Sequence, residues 1–360
     1  MVNDKDKARV DAMVLHFVVP GALDTRTGGY GYDRRIIAAL RLAGWQVLVH
    51  ELTGAYPWPD AAARQRAAAC LAAISDGARV VIDGLAFGVL AEVVAPHAQR
   101  LELTALVHHP LALETGLSHD QVALLTDAER RALQFARRVI VTSAPTCSNL
   151  AAFGVAPDRC RVVRPGTDAV TPASGSDDGT VQLLCVASVT ARKGHELLLQ
   201  ALQHIDAMPW RLTCVGSTGR DPDTAARVRA LIEQAGWQSR VVLTGELDDA
   251  ALDAQYQGAD IFVLASFHEG YGMVFDEALA RGLPIVATEV GALETAVPPG
   301  ARLMVPAGDA QALSTALAAV IGEAGQRRAM QQAALVHALS RRNWRAAGLE
   351  FAAALTDPMA

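Results

Sequence analysis

The hydrophobic pattern of the chain is a succession of short unbroken apolar runs separated by stretches with helical spacing. Met13 to Val19 is the first such run, and Arg79 to Ile82, Leu103 to Val107 and Val139 to Thr142 follow. Runs without polar alternation suit strands of a parallel sheet covered on both faces. Between them the spacing predicts helices over about Tyr32 to Ala43 (ended by Gly44), Asp60 to Ser75, Leu85 to Pro96, and Asp127 to Arg137 with Asp127 as a cap. A strand over Gln46 to Glu51 completes a βαβ unit, and Ser143-Ala-Pro-Thr146 opens a further helix. The alternation resumes with strands Val181 to Val186, Arg211 to Val215, Val241 to Thr244, Ile261 to Leu264 and Ile285 to Ala287. The fold class is therefore α/β. TPASGSDDGT (171–180) is the clearest shift in composition and marks a boundary. Expected domains are 1–170 and 171–340, with a terminal helix in 341–360. Residues 1–10 are polar and expected to fray.

Composition narrows the classes. A chain of 360 residues suits two domains, and 51% hydrophobic against 19% charged residues describes globular domains with large cores. A net charge of −6 with no dense Lys/Arg face argues against a nucleic-acid partner. No apolar run reaches the roughly 18 residues that span a bilayer, and MVNDKDKARVDA has no signal-peptide core. A cytoplasmic protein is expected. The absence of a basic amphipathic helix disfavours a strongly membrane-bound partner and leaves peripheral membrane contact open. The five cysteines, Cys70, Cys147, Cys160, Cys185 and Cys214, are scattered without C-x-x-C spacing. They read as small buried apolar residues, neither a disulfide framework nor a metal site.

The chemistry concentrates in ASFHEGYGMVFDEALARGLPIVAT, residues 265–288. A strand empties into a loop carrying His268, Glu269, Gly270, Tyr271 and Gly272, and a helix follows from about Met273 to Gly282. The first turn of such a helix offers unpaired N–H groups and partial positive charge, a seat for phosphate. Gly270 and Gly272 let backbone approach a ligand closely. Glu269 and Glu277 bracket this seat and can accept hydrogen bonds from sugar and ribose hydroxyls. The stretch thus suits a ligand with phosphates in the middle and hydroxyls at both ends. Arg192, Lys193 and Gly194 lie between a strand and a helix, where two cations can neutralise a diphosphate. His108-His109-Pro110 ends another strand, the end at which open α/β sheets bind ligands; Glu114 beyond it reads equally as a pocket or a solvated residue. The first βα loop lacks G-x-G-x-x-G, so dinucleotide binding is weakly supported. Asp221-Pro222-Asp223 has the form D-x-D, but its place before a helix makes Asp221 a cap, and no metal is expected.

Glu269 and Glu277, eight apart within EGYGMVFDEALARGLPIVAT, match the E-x7-E signature of the retaining glycosyltransferases of family 4, which this chain resembles. The resemblance implies the GT-B fold, two Rossmann-like domains facing each other across a cleft. It implies transfer of a sugar from a UDP- or GDP-linked donor to an acceptor hydroxyl, with retention and with neither metal nor cofactor. Gly28 and Gly29 match the family's Gly-Gly near the donor phosphate. His108 is placed by alignment near the donor sugar, with His109 one residue away and still open. Lys193 and Arg192 would sit on the diphosphate, although the family's Arg falls near Ser188, which is not basic. Glu269 would hold sugar hydroxyls and Glu277 the ribose, with the N–H groups of Gly270 to Met273 on phosphate. Gly245, Glu246 and Leu247 would lie beside the base, and Val290-Gly291-Ala292 near the phosphates. Val162 to Asp168 resembles the family's strand-to-linker element, and Trp344 the start of a terminal helix that packs back on the first domain. Two other readings stay open: a hydrolysing nucleotide-sugar epimerase, and a non-catalytic nucleotide-sugar-binding relative, which Ser188 keeps in view.

Overall fold

The computed structural model describes residues 13–114, 116–291 and 293–357. The expectation for residues 1–10 and the role given to Ala292 lie outside the described residues. The chain forms two compact units, Met1–Gly166 with Arg342–Ala360, and Thr167–Arg341. Residues 171–180 belong to the second unit, where the Ser174 hydroxyl donates to Gln257 O and the Ser176 hydroxyl to Asp260.

The first unit is built on strands β1 (Val14–Pro20), β2 (Gln46–Leu52), β3 (Arg79–Asp83), β4 (Glu102–Val107), β5 (Arg138–Val141) and β6 (Cys160–Val162). They pair in parallel in the order β2-β1-β3-β4-β5-β6. The uninterrupted apolar runs are explained by burial on both faces, with Leu15, Phe17, Val80, Leu103 and Val139 all inaccessible. Winding reverses at β1, so the loops leaving β1 and β3 diverge and leave a crevice at their ends. Helix Trp344–Thr356 belongs to this unit and packs on helix Gly28–Leu42, where Gly348 lies against Ala39. Trp344 meets Tyr32 edge-on at 5.9 Å between ring centres, and the Tyr32 hydroxyl donates to Val163 O at 2.9 Å.

The second unit repeats the plan with β7 (Val181–Val186), β8 (Trp210–Val215), β9 (Val241–Gly245), β10 (Ile261–Leu264), β11 (Ile285–Thr288) and β12 (Arg302–Val305). Its order is β12-β11-β10-β7-β8-β9, again all parallel, with the reversal between β7 and β10. Phe262 on β10 stacks on Tyr256 and meets Phe275 edge-on, which fixes the helices on either side of that strand. No helix among the described residues is long and apolar enough to cross a membrane.

Some elements differ from the sequence reading, each for a local reason. The helix expected at Asp127 begins at His119, because Ser118 and Gln121 form a reciprocal capping box; Asp127 lies within the helix and pairs with Arg131 at 3.0 Å. The first helix begins at Gly28, four residues before Tyr32, with Thr27 as its cap. The helix expected over Leu85 to Pro96 is broken into Gly84–Phe87 and Ala91–Val94 around Gly88, which lies against Leu111 and Gly84 O. Asp221 does cap helix Pro222–Gln234, accepting from Thr224 N at 3.0 Å. The cysteine reading needs correction. Cys147 and Cys160 form a disulfide, brought together because helix Ala144–Leu150 packs on β6.

One buried acid bears on stability. Glu129 accepts from Leu111 N at 3.0 Å through Oε2, while Oε1 has no partner among the described residues. Burial pushes its carboxyl from 4.5 up to about 8 against the pull of that N–H. A raised folded-state value means stability is fully present below pH 4.5 and is lost as pH rises toward 8. Glu129→Gln, which keeps an acceptor without the charge, should therefore gain relative to wild type between pH 5 and 9, by a few kcal/mol in order of magnitude. Denaturant unfolding at both pH values measures it, and an equal difference at the two contradicts the assignment.

Candidate active site

The second unit gathers charge at its own switch point. The loop after β7 carries Arg192 and Lys193 in a single 3-10 turn, and the loop after β10 carries Ser266 to Gly272. These loops meet backbone to backbone. A Cβ at Gly194 (φ +67°) would lie 1.9 Å from Ala265 O, and one at Gly291 (φ +60°) 1.8 Å from Glu269 O. Only glycine fits at either point. Phe267 N donates to Arg192 O at 2.8 Å, joining the two loops further.

So held, the Lys193 ammonium donates to Glu269 Oε1 at 2.5 Å, and the Ser266 hydroxyl donates to the same oxygen at 2.6 Å. Arg192 donates to His268 O at 2.9 Å and stands 4.0 Å from Glu269 Oε2. Glu269 is only 5% exposed. Burial pushes its carboxyl up, but Lys193 and then Arg192 outweigh that and hold it below its ordinary value. It is therefore an ionised carboxylate between two cations. Ser188 lies in the loop after β7 with its N–H against Gly216, and the second cation of the cluster is Arg192.

The helix Met273–Ala280 begins at Gly272 in the left-handed region (φ +83°), with no side chain capping it. Tyr271 donates to Asp276 Oδ2 at 2.7 Å, and Arg341 forms an ion pair with Asp276 and donates to its carbonyl at 2.7 Å. Arg341 Nε also donates to Thr167 Oγ1, so the loop is tied to both ends of the second unit's chain. Glu277 is half-buried on the same helix and accepts from the Tyr256 hydroxyl at 2.9 Å, while Arg281 lies over the Tyr256 ring. Gly245, Glu246 and Leu247 stand at the end of edge strand β9; Gly245 O accepts from Gly216 N, and Glu246 lies 3.8 Å from Arg220.

The first unit gathers a second cluster at its switch point. His108, just past β4, places Nε2 3.1 Å from Asp33 Oδ1 and 3.3 Å from Asp83 Oδ2. Asp33 comes from helix Gly28–Leu42 and Asp83 from the last position of β3, where it also accepts from Leu85 N. Gly29 lies against the His108 ring, 3.1 Å from Cδ2 to a Cβ placed there; Gly28 opens the same helix, where an added Cβ would have no atom of the described residues within 4 Å. Burial pulls the His108 value down, but Asp33 and Asp83 outweigh it and raise the imidazole above its ordinary range. Burial raises Asp33 against the pull of His108. His109 turns instead to Glu114, at 3.4 Å. Sequence reasoning missed Asp33, Asp83, Ser266, Tyr256 and Asp276. Only Asp83, a carboxylate ending a buried strand before Gly84, gave a usable signal.

Comparisons with known proteins add a family to this geometry. Residues 180–323 match the family described as Glycosyl transferases group 1. The D-inositol 3-phosphate glycosyltransferase of Xylanimonas cellulosilytica is 31% identical over 223 residues, 57% of this chain and 52% of that protein. The 2-deoxystreptamine N-acetyl-D-glucosaminyltransferase of Streptomyces fradiae is 29% identical over 261 residues, 69% of this chain and 61% of that protein. The chain thus spans about half the length of the first curated relatives it matches. Sucrose-phosphate synthase from Thermosynechococcus elongatus has a TM-score of 0.79 at 21% identity, covering 94% of this chain and 97% of that one. Anabaena HepE in complex with UDP and glucose gives 0.73 at 16% identity, covering 96% and 99%. These structural likenesses show the fold, which is GT-B with two Rossmann-like domains. The family match and the curated relatives agree with the E-x7-E resemblance, and it is residues 180–323 that are similar to the glycosyl transferases of group 1.

Proposed function

We propose that the protein transfers a sugar from a nucleoside diphosphate sugar to an acceptor hydroxyl, with retention and without a metal ion. The observation that carries this is the Arg192–Lys193–Glu269 cluster at the β7/β10 switch point, beside a helix N-terminus at Gly272 that has no side-chain cap among the described residues. Two cations and oriented N–H groups supply the positive field that a departing diphosphate needs, which supports metal independence. Lys193 pairs with Glu269; a bound diphosphate shares that ammonium and leaves Glu269 oxygens for donor-sugar hydroxyls. Glu277, positioned by Tyr256, takes the ribose hydroxyls, and Gly245 to Leu247 the base. UDP and GDP donors both fit this reading.

In the reaction the bond from the anomeric carbon to the phosphate oxygen breaks, and a bond to the acceptor oxygen forms on the same face. The acceptor proton passes to the departing phosphate oxygen. Lys193, Arg192 and the N–H groups near Gly272 and Met273 stabilise the charge on that oxygen. His108, kept protonated by Asp33 and Asp83, offers a cationic donor to a substrate hydroxyl. The acceptor class is drawn from the cyclitols that the relatives' names print, inositol phosphate and 2-deoxystreptamine.

The test is a transfer assay with UDP- and GDP-sugars against cyclitol acceptors, with product configuration read by NMR. Retained configuration, and a rate indifferent to added Mg²⁺ or Mn²⁺, are expected; inversion or a requirement for metal overturns the proposal. Lys193→Ala should lower kcat by about 10²- to 10³-fold, as loss of one transition-state donor does. Near-normal turnover would remove Lys193 from the phosphate. For His108, the raised folded-state value means its stability contribution is present below its unfolded value near 6.5 and lost as pH rises through the folded one. NMR should show its ring still protonated at pH 7.5 in wild type and titrating at lower pH in Asp33→Asn. A wild-type titration near 6.5 contradicts the charged-imidazole role.

A further inference from the structure

We infer that the core of the second unit holds a binding site for one thiophilic divalent d10 cation of the zinc class, formed by Cys185, Cys214 and His195. Cys185 on β7 and Cys214 on β8 are paired directly in register, so their side chains leave the same face of the sheet. His195 is the first residue of helix His195–Gln203, and its Nε2 lies 3.7 Å from Cys185 Sγ. One donor atom from each residue lies within 4.8 Å of the other two. Zinc–sulfur bonds of about 2.3 Å and zinc–nitrogen bonds of about 2.0–2.1 Å require donors about 3.5–4 Å apart. Closing the triangle therefore takes side-chain shifts of about an ångström or less.

All three residues are essentially buried, His195 at 2% exposure. Two thiols alone would be ordinary small core residues. The imidazole is what sets the cluster apart: its Nε2 faces the Cys185 sulfur at 3.7 Å, a weak contact for a buried polar ring. A cation on Nε2 replaces that contact with a strong bond and leaves the ring's proton on Nδ1. Binding releases two thiol protons to solvent, so two thiolates, a neutral imidazole and a divalent ion make a neutral group, the form an apolar core tolerates. A monovalent ion would leave one buried negative charge, which is why the divalent class is favoured. Three protein donors leave one corner of a tetrahedron for a water molecule. Lys193 and Gly194 immediately precede His195, so an ion here pins the turn that carries the two cations. The inference does not depend on the transfer reaction.

The full-length protein, freed of metal and mildly reduced, would be titrated with Cd²⁺ while thiolate-to-cadmium absorption and proton release are recorded. One equivalent of band, about two protons released and a raised thermal midpoint are expected, with Zn²⁺ displacing the band. The band should be lost in Cys214→Ala and retained in Cys70→Ala. No band with folded protein, or an unchanged band in Cys214→Ala, overturns the site, the second outcome placing the ion elsewhere. Should Cys214→Ala fail to fold, the ¹¹³Cd chemical shift of the wild-type complex decides between a two-sulfur, one-nitrogen donor set and any other.

Discussion

Everything in the second unit's site depends on two places where backbone meets backbone. The loop after β10 is held between Gly194 on one side and Gly291 on the other, each so close that a single added carbon would collide with a carbonyl oxygen. That contact is why Lys193 and Glu269, 76 residues apart, meet at 2.5 Å. A looser junction would leave a flexible lysine on a surface, where ion pairing contributes little. Here burial of Glu269 makes the pairing obligatory, since an isolated buried carboxylate is far more costly than one between two cations.

The first unit solves the same problem with the signs exchanged. At its own switch point a single imidazole stands between two buried carboxylates, Asp33 and Asp83. Both clusters occupy the carboxyl ends of strands flanking a reversal of winding, the place where a doubly wound sheet opens a crevice. The fold therefore supplies two charged clusters by the same topological device, one with two cations around a carboxylate and the other with two carboxylates around an imidazole. Neither needs a residue in a strained non-glycine conformation, since every positive φ among the described residues belongs to glycine.

What was legible in the sequence was local. Glu269, Gly272 and Glu277 lie within nine residues of each other in one stretch, and periodicity around them reveals strand, loop and helix. The parallel α/β class followed from apolar runs such as Met13 to Val19, because burial on both faces removes alternation. Partners distant in sequence were not legible. Asp33 in the first helix reads as an ordinary early-helix carboxylate until β4 brings His108 to it. His195 reads as one polar position in an apolar helix until β7 and β8 set two thiols beside it. Asp127 reads as a cap only if the capping-box pattern of Ser118 and Gln121, nine and six residues earlier, is passed over; that pattern was legible and starts the helix there.

The central claim is that Lys193 and its neighbours seat a nucleoside diphosphate. Calorimetric titration of UDP and GDP into wild-type protein and into Lys193→Ala, without divalent cations, tests it most directly. One of the two nucleotides should bind wild type, and the variant should bind it roughly 10- to 100-fold more weakly, the effect of one charged hydrogen bond. Binding of neither nucleotide, or equal affinity in the two proteins, would contradict the account.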